Sequence, residues 1–191
     1  MIQLLDKWNR HYQNADFSLA TPARVLRENI HLLAVPGRAL DLACGLAGNA
    51  IFLEKQGFQV DAIDSSSLLI QKLKQYINRN QLNINPILQD IETQPLLSSH
   101  YDVIVVSYFL SREIFPNIID ALTPGGLLVY QTWSQERVSD KGPKRQAFRL
   151  AKGELLTLCK NLQLVYYRED EMIGDISKGF RDKVFYIGKR C

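Results

Sequence analysis

Hydrophobic residues recur at two different spacings along the chain, and the change falls near residue 36. In the first 35 residues they recur every three or four positions, which predicts two amphipathic helices. The first helix would bury Leu4, Leu5, Trp8, His11 and Tyr12. Thr21 and Pro22 are typical of an N-cap and a first helical position, so they predict the start of the second helix.

Short apolar runs bounded by turn residues follow from residue 38. The runs that predict strands are 38–44, 58–64, 84–90, 101–109 and 127–133. Helical patterns cover 47–56, 66–80 and 112–122. Strands that alternate with helices indicate a parallel sheet covered on both faces, and right-handed crossovers make such a sheet doubly wound.

The end of the chain breaks this alternation. A helix is predicted over 153–162, and strands are predicted over 163–169 and 179–189. The segment between those two strands is too short for a crossover helix, so we expect them to pair antiparallel. The predicted fold class is therefore α/β: a doubly wound, mostly parallel seven-stranded sheet with an antiparallel C-terminal hairpin, a Rossmann-like arrangement.

Composition is that of a globular protein of one domain. The chain has 191 residues, of which 46% are hydrophobic and 23% charged. No apolar run approaches the ~18–20 residues of a membrane span, and a signal-peptide core is not seen, so we expect a cytoplasmic protein with no membrane partner. The three cysteines suit a reducing compartment, and the three scattered histidines predict no metal site.

Positive charge is concentrated in one segment. Residues 137–152 hold six basic side chains and one acidic one, a local charge of +5, while the rest of the chain sums to −2. A basic segment on a nearly neutral body favours a small anionic ligand, and no nucleic-acid partner is expected. A solvated surface loop explains the same composition equally well.

The segment DLACGLAGN, residues 41–49, joins the first predicted strand to the next helix. It fits two patterns: a degenerate dinucleotide-binding fingerprint, and an acidic strand end followed by a loop of small residues. In an open α/β sheet this loop lies where ligands bind, and the helix N-terminus attracts an anionic group. A pyrophosphate and the carboxylate of a methionine both satisfy that condition, so the loop alone leaves both ligands open.

Three further features bear on this choice: two of them favour a sulfonium cofactor, and the third, Asp64, is compatible with either ligand because both contain a ribose. Asp41 would repel a pyrophosphate and attract a sulfonium, and its alternative role is to orient the loop. Asp64 ends the second predicted strand, where a carboxylate binds ribose hydroxyls, and its alternative role is to cap a helix. The antiparallel hairpin takes the place of the sixth parallel strand of a dinucleotide-binding domain.

Four segments together resemble class I S-adenosylmethionine-dependent methyltransferases. They are ALDLACGLAGNAIFLEKQGFQVDAIDSS, LQDIE, YDVIVVSYFL and LTPGGLLVYQTW. Within that class the chain is most similar to the tellurite-resistance (TehB-like) methyltransferases, through the DLxCGxxxN form of the loop and the segment AFRLAKGELL. That family usually has glycine at the positions of Ala43 and Ala47, so we expect Ala43 to narrow the space for the cofactor and Ala47 to start the helix.

The resemblance implies S-adenosyl-L-methionine as the cofactor and assigns it nine binding residues. They are Tyr12, Asp41, Ala43, Gly45, Asp64, Ser65, Asp90, Ile91 and Ser107. Asp41 and the backbone from Gly45 onward would hold the methionine portion. Asp64 would bind the ribose, with Ser65 beside it.

The remaining implied contacts surround the adenine and the sulfonium. Asp90 would accept a hydrogen bond from the adenine amino group, and the Ile91 N–H would contact the ring. Ser107 and Tyr108 would flank the sulfonium and the acceptor, while Tyr12 would close over the cofactor. The alternatives are a helix-capping or loop position for Asp90, a core position for Tyr108 and ordinary helix packing for Tyr12.

The implied reaction is methyl transfer to a small anionic acceptor, such as a tellurite- or selenite-type oxyanion, a thiol or a carboxylate. Tyr108, Arg145 and Arg149 are expected to act on that acceptor, the two arginines as an anion clamp with Lys144 beside them. No Asn-Pro-Pro-Tyr motif follows the fourth predicted strand, which disfavours an amide or base-amine acceptor. The alternatives are an inactive or partner-dependent S-adenosylmethionine-binding module and an NAD-dependent oxidoreductase.

These expectations define one methyltransferase domain over residues 1–191. It would comprise an N-terminal helical cap over 1–35, a cofactor-binding core over 36–132, and a substrate loop with the C-terminal hairpin over 133–191. A small-molecule methyl acceptor is the expected partner, and the sequence predicts no oligomeric state.

Overall fold

Seven strands form one sheet with helices on both faces in the computed structural model, which describes residues 8–33 and 37–191. The strands are β1 (Arg38–Leu42), β2 (Gln59–Asp64), β3 (Ile84–Leu88), β4 (Tyr101–Ser107), β5 (Leu122–Trp133), β6 (Leu162–Glu169) and β7 (Lys183–Arg190). The helices are α1 (Arg24–Glu28), α2 (Gly48–Lys55), α3 (Ser67–Asn80), α4 (Phe115–Ala121) and α5 (Glu154–Leu158). Residues 8–11 are also helical, and 3₁₀ turns cover Phe17–Leu19, Ile30–Leu32 and Gln146–Phe148.

The order of the strands determines where a ligand can bind. That order is β3-β2-β1-β4-β5-β7-β6. Strands β1 to β5 run parallel, whereas β7 lies antiparallel to both β5 and β6, which confirms the predicted fold class and its C-terminal hairpin. The chain proceeds from β1 outward to β3 and then crosses back to β4, so the topological switch point lies at the carboxyl ends of β1 and β4.

Each face of the sheet has its own hydrophobic core. On β4, Val103 and Val105 share a core with residues of α1, α2 and α3, whereas Ile104 and Val106 share one with residues of α4 and α5. All four side chains are buried. A strand covered on both faces needs apolar residues at every position, which explains the continuous apolar run.

Several predicted strands are present with shifted ends. Strands β1 and β3 end at Leu42 and Leu88, earlier than predicted. Strand β5 begins at Leu122 and includes the Pro-Gly-Gly turn that was expected to precede it. Strand β7 begins at Lys183, because the residues from 179 onward belong to the loop before it.

Helix α3 begins as the sequence indicates, whereas α4 begins at Phe115, three residues after its predicted start. Ser66 caps α3, its Oγ accepting a hydrogen bond from the Leu69 N–H at 3.2 Å. Pro116 lies in the first turn of α4, where its missing N–H breaks no helical hydrogen bond. Leu4 and Leu5, expected on the first helix, lie outside the described residues. Within 8–33 and 37–191, no helix has the length and apolar character needed to cross a membrane.

The prediction for the second helix is wrong in its start and its length. Helix α1 covers only Arg24–Glu28, and its N-cap is Ala23, which has no side chain that can cap. Two distant side chains supply the acceptors instead. Asn49 Oδ1 accepts from the Ala23 N–H at 2.7 Å, and Gln131 Oε1 accepts from the Val25 N–H at 3.1 Å. Because tertiary contacts satisfy these N–H groups, the local cap predicted from Thr21-Pro22 does not form.

Replacing Gln131 tests this tertiary cap. Gln131→Met should lower the free energy of unfolding by about 1–3 kcal/mol, because a buried N–H then lacks an acceptor. The matched control is Gln163→Met on the edge strand β6, whose glutamine is exposed. Urea denaturation followed by circular dichroism measures both, and equal midpoints for the two variants would contradict the tertiary cap.

Candidate active site

A cleft of about 1440 Å³ opens at the carboxyl ends of the parallel strands. It lies at the switch point, where ligands bind in open α/β sheets. Eight of the nine residues predicted to bind the cofactor line it: Tyr12, Ala43, Gly45, Asp64, Ser65, Asp90, Ile91 and Ser107. Tyr108 lines it as well, whereas Asp41 does not. The fold therefore brings together residues from five separate segments of the chain.

The loop between β1 and α2 has an unusual backbone. Ala43, Gly45 and Ala47 all adopt left-handed conformations, with φ of 54°, 50° and 57°. An alanine in this region costs about 1–2 kcal/mol relative to the right-handed helical region. The expectation that Ala47 starts the helix through its helical propensity is wrong, because Ala47 is the left-handed N-cap and α2 begins at Gly48. A Cβ at Gly48 would overlap the carbonyl oxygen of Thr21.

Asp41 lies beneath this loop and is fully buried. Its Oδ1 accepts from Asn49 Nδ2 and its Oδ2 from the Ala50 N–H, each at 3.0 Å. Burial raises the pKa of Asp41 to about 7, against the opposing effect of those two hydrogen bonds. Asp41 thus satisfies one of the free N–H groups of α2, and the geometry favours its alternative role, orientation of the loop, over direct contact with a ligand.

Asn49 is buried, and the sequence analysis assigned it no role although it ends the DLxCGxxxN motif. Its Nδ2 donates to Asp41 Oδ1 and to Ser107 Oγ, both at 3.0 Å, and its Oδ1 accepts from the Ala23 N–H. One amide therefore joins β1, β4, α2 and the start of α1. The available signal was its place as the last residue of that motif.

Asp64, the last residue of β2, is hydrogen-bonded to the loop between β1 and α2. Its Oδ2 accepts from the Gly45 N–H at 3.1 Å and its Oδ1 from the Ser66 N–H at 2.9 Å. Burial raises the pKa of this carboxyl, which is 8% exposed, above its ordinary value. The carboxylate lies on the cleft wall, and the cap of α3 is Ser66, so the position suits hydrogen bonds to ribose hydroxyls.

The turn after β3 carries the residues expected to contact adenine. Asp90 Oδ1 accepts from the Glu92 N–H at 3.1 Å, so Asp90 caps this turn in addition to lining the cleft. Ile91 presents an apolar side chain next to it on the same wall. A planar base would thus meet one carboxylate and one aliphatic surface.

The N-terminal segment lies over the loop. The Tyr12 hydroxyl lies 3.2 Å from the position that a Cβ on Gly45 would occupy. Lys72 Nζ donates to the main-chain oxygens of Tyr12 and Gln13 and so holds the segment against α3. Burial, with the nearby carboxylate of Asp64, raises the pKa of the Tyr12 hydroxyl, so it remains a neutral donor. This position fits the expected closure over a cofactor.

Tyr108 is an exposed part of the cleft wall and does not lie in the core. Its side chain is 47% exposed, and its φ of 57° is rare for a residue with a large side chain. The Tyr108 hydroxyl accepts from Gln131 Nε2 at 2.7 Å, and its ring centroid lies 5.3 Å from that of Trp133. Strained backbone of this kind is found where the surrounding structure holds a side chain in place, often at functional sites.

The predicted arginine clamp does not form. Arg149 is only 2% exposed, and its guanidinium donates to the main-chain oxygens of Ser134, Lys141 and Pro143. Arg145 is exposed on the loop surface, and neither arginine lines the cleft. Because Arg149 is buried away from the cleft and donates to three carbonyl groups of its own loop, it stabilises that loop and does not clamp a ligand.

Charges of opposite sign divide the cleft. The acidic lining residues, Asp64, Asp90 and Glu92, lie on the side of β2 and β3. The basic lining residues belong to α1 and to the segment leading into β7: Arg24, Arg27, Arg181 and Lys183. Within the described part of the chain, no three His, Cys, Asp or Glu side chains are grouped as metal ligands would be. The cleft thus has one end suited to cationic and hydroxyl-bearing groups and another suited to anions.

The fold is that of S-adenosylmethionine-dependent methyltransferases of known structure. The crystal structure of TehB from Haemophilus influenzae matches with a TM-score of 0.66 and 24% identity, over 86% of this chain and 61% of that chain. A SAM-dependent methyltransferase from Aquifex aeolicus matches with a TM-score of 0.68 and 16% identity, over 98% of each chain. These structures confirm the predicted fold.

Within this class the chain belongs to the TehB family. The family model described as tellurite resistance protein TehB matches residues 7–183. A curated relative from Haemophilus influenzae (strain 10810), named "Probable S-adenosyl-L-methionine-dependent methyltransferase TehB", is 30% identical over 151 residues, which is 75% of this chain and 51% of the relative. The chain therefore spans about half the length of that relative.

The structural role of Arg149 can be tested with a matched pair of variants. Arg149→Lys should lower the free energy of unfolding by about 1–3 kcal/mol, because one ammonium cannot satisfy three carbonyl groups. Arg145→Lys, a surface change on the same loop, should stay within about 0.5 kcal/mol of the parent. Urea denaturation measures both, and a parent-like Arg149→Lys variant would return Arg149 to the list of candidate ligand contacts.

The left-handed loop gives a second test. Ala43→Gly should raise the free energy of unfolding by up to about 1 kcal/mol, because glycine adopts a positive φ without strain. The affinity of the Ala43→Gly variant for S-adenosylhomocysteine, measured by calorimetry, should be unchanged or higher than that of the parent. Ala20→Gly is the control: φ is −65° at Ala20, so glycine there should only destabilise. A large loss of affinity in Ala43→Gly would mean that the cofactor does not lie against this loop.

Proposed function

We propose that this chain transfers a methyl group from S-adenosyl-L-methionine to a small anionic acceptor. The class of acceptor is a tellurite- or selenite-type oxyanion, a thiol or a carboxylate. The observation that supports this proposal most directly is the division of the cleft into an acidic side and a basic side. A sulfonium cofactor suits the first side and an anion suits the second.

The residues of the acidic side fit the cofactor chemically. Asp64 would bind the ribose, and Asp90 and Ile91 would bind the adenine, as the resemblance implies. At Gly45 a Cβ would lie 3.2 Å from the Tyr12 hydroxyl, so the glycine allows that hydroxyl to approach the loop closely. When bound, the cofactor supplies an electrophilic methyl group. The chain itself orients the two ligands and excludes water.

Two of the four basic side chains are already engaged with the protein. Arg24 pairs with Glu28, and Arg181 donates to main-chain oxygens of the loop between β6 and β7. Arg27 and Lys183 make no ion pair with any of the described residues, and both line the cleft. They take the place of Arg145 and Arg149 as the candidate anion contacts. An acceptor that binds already ionised needs no general base.

The predicted division of residues 1–191 remains part of this proposal. The N-terminal cap contributes Tyr12 and Arg27, and the core contributes the cofactor loop. The expected substrate loop reaches the cleft through Gly142 and Pro143, and its basic side chains point elsewhere or support the fold. The acceptor would therefore be enclosed by all three parts of the domain.

Calorimetry and turnover assays test the proposal. The protein should bind S-adenosylhomocysteine and not NAD, and it should methylate at least one member of a panel of small oxyanions, thiols and carboxylates. Arg27→Met should raise the Michaelis constant for that acceptor several-fold and leave the affinity for S-adenosylhomocysteine unchanged. The control is Arg79→Met, at the exposed end of α3.

Each alternative has its own outcome. Binding of NAD in place of S-adenosylhomocysteine would identify an oxidoreductase. Binding of S-adenosylhomocysteine with no turnover across the panel would identify an inactive or partner-dependent binding module. An unchanged Michaelis constant in Arg27→Met would remove Arg27 from the acceptor site.

A further inference from the structure

The basic side of the cleft also carries aromatic side chains, and Lys183 lies beside two of them. Lys183 Nζ lies 5.7 Å from the ring centroid of Tyr108 and 5.4 Å from that of Trp133. Both distances fall within the roughly 6 Å of a cation–π contact. Phe185, two residues along β7, lines the same part of the cleft. We call Tyr108, Trp133, Lys183 and Phe185 the acceptor wall.

Pairing between β5 and β7 fixes the geometry of this wall. Trp133 and Lys183 are directly opposite each other in the antiparallel register, so their side chains emerge on the same face. The turn at Gly142 packs against the Trp133 ring so closely that a Cβ would overlap it. The indole therefore cannot turn away, and Lys183 is held beside two aromatic faces.

The charge of Lys183 has no acidic partner among the described residues. The adjacent carboxylate, Asp182, is used elsewhere: it accepts from the N–H groups of Val138 and Ser139 and from Ser139 Oγ. None of the acidic residues that line the cleft belongs to β5 or β7. An ammonium group that faces a cleft without a counter-ion attracts an anion to that place.

The volume of the cleft and its aromatic surface indicate which chemical class of anion fits. A volume of about 1440 Å³ exceeds the roughly 300–1,000 Å³ of a single-ligand pocket, so it admits a second organic molecule beside the cofactor. An inorganic oxyanion would leave the aromatic rings in contact with water. A flat aromatic ring would instead stack on them, in contacts worth about 0.5–1.5 kcal/mol beyond area burial.

Building on the proposed function, we infer that the acceptor is a planar aromatic compound bearing one ionisable hydroxyl or thiol group. Tyr108 and Trp133 hold its ring, and Lys183 holds the ionised oxygen or sulfur. The acceptor loses its proton to solvent, because the neighbouring ammonium favours the anion. Methyl transfer then forms one bond from that atom to the methyl carbon and breaks the carbon–sulfur bond, whose electron pair stays on sulfur. The products are a methyl ether or thioether and S-adenosylhomocysteine.

The test uses 4-nitrophenol, whose anion has its own absorbance band, with the protein and S-adenosylhomocysteine. Titration should show that the apparent pKa of bound 4-nitrophenol is lower than in buffer by about 1 unit or more, as expected for an opposite charge within contact range. Lys183→Met should abolish this lowering, and Lys183→Arg should retain it. Lys189→Met, at the exposed far end of β7, should match the parent.

The outcomes separate this inference from the proposed function. If S-adenosylhomocysteine binds but 4-nitrophenol does not, or if its pKa is unchanged, the inference is overturned and the methyltransferase proposal stands. Selenite displacing 4-nitrophenol at an equal or lower concentration would also overturn it, in favour of an inorganic acceptor. If S-adenosylhomocysteine itself fails to bind, the proposed function is overturned, and the inference that builds on it is overturned as well. A Lys183→Met variant that still lowers the pKa would remove Lys183 from the site.

Discussion

The buried hydrogen bonds made by Asp41 and Asn49 hold the cleft together. A carboxylate without solvent is costly unless its oxygens are paired, and here one oxygen pairs with an amide and the other with the Ala50 N–H. The same amide reaches Ser107 and the Ala23 N–H. The end of β1, the end of β4 and the start of α1 are thereby fixed relative to one another. The loop between β1 and α2 can adopt its left-handed conformations because its two ends are held by these bonds.

This network also explains why the cleft has two electrostatic ends. The N-terminal segment is tied to the loop through Asn49 and to β5 through Gln131. It therefore brings α1 and its arginines to the side of β5 and β7, opposite the carboxylates that follow β2 and β3. Two ligands of opposite charge could then lie side by side, and alignment of donor and acceptor is the main contribution a protein makes to this kind of transfer.

Features set by local pattern could be predicted from the sequence. The strands follow from continuous apolar runs, the hairpin from a linker too short for a crossover, and the position of Asp64 from its place at a strand end. Features that depend on distant partners could not. The start of α1 depends on Asn49 and Gln131, which are far from it in sequence, and a pattern of neighbouring residues contains no trace of those contacts.

The basic segment after β5 shows the same limit most clearly. Its composition indicated an anion site, yet whether an arginine meets ligand or protein depends on the path of the loop. Here the loop folds back so that Arg149 binds three of its neighbours' carbonyl groups and lies 5.6 Å from the Trp133 ring. Gly142 packs against that ring as well. The basic segment thus packs against the indole of Trp133. The positive charge that faces the cleft comes from α1 and β7 instead.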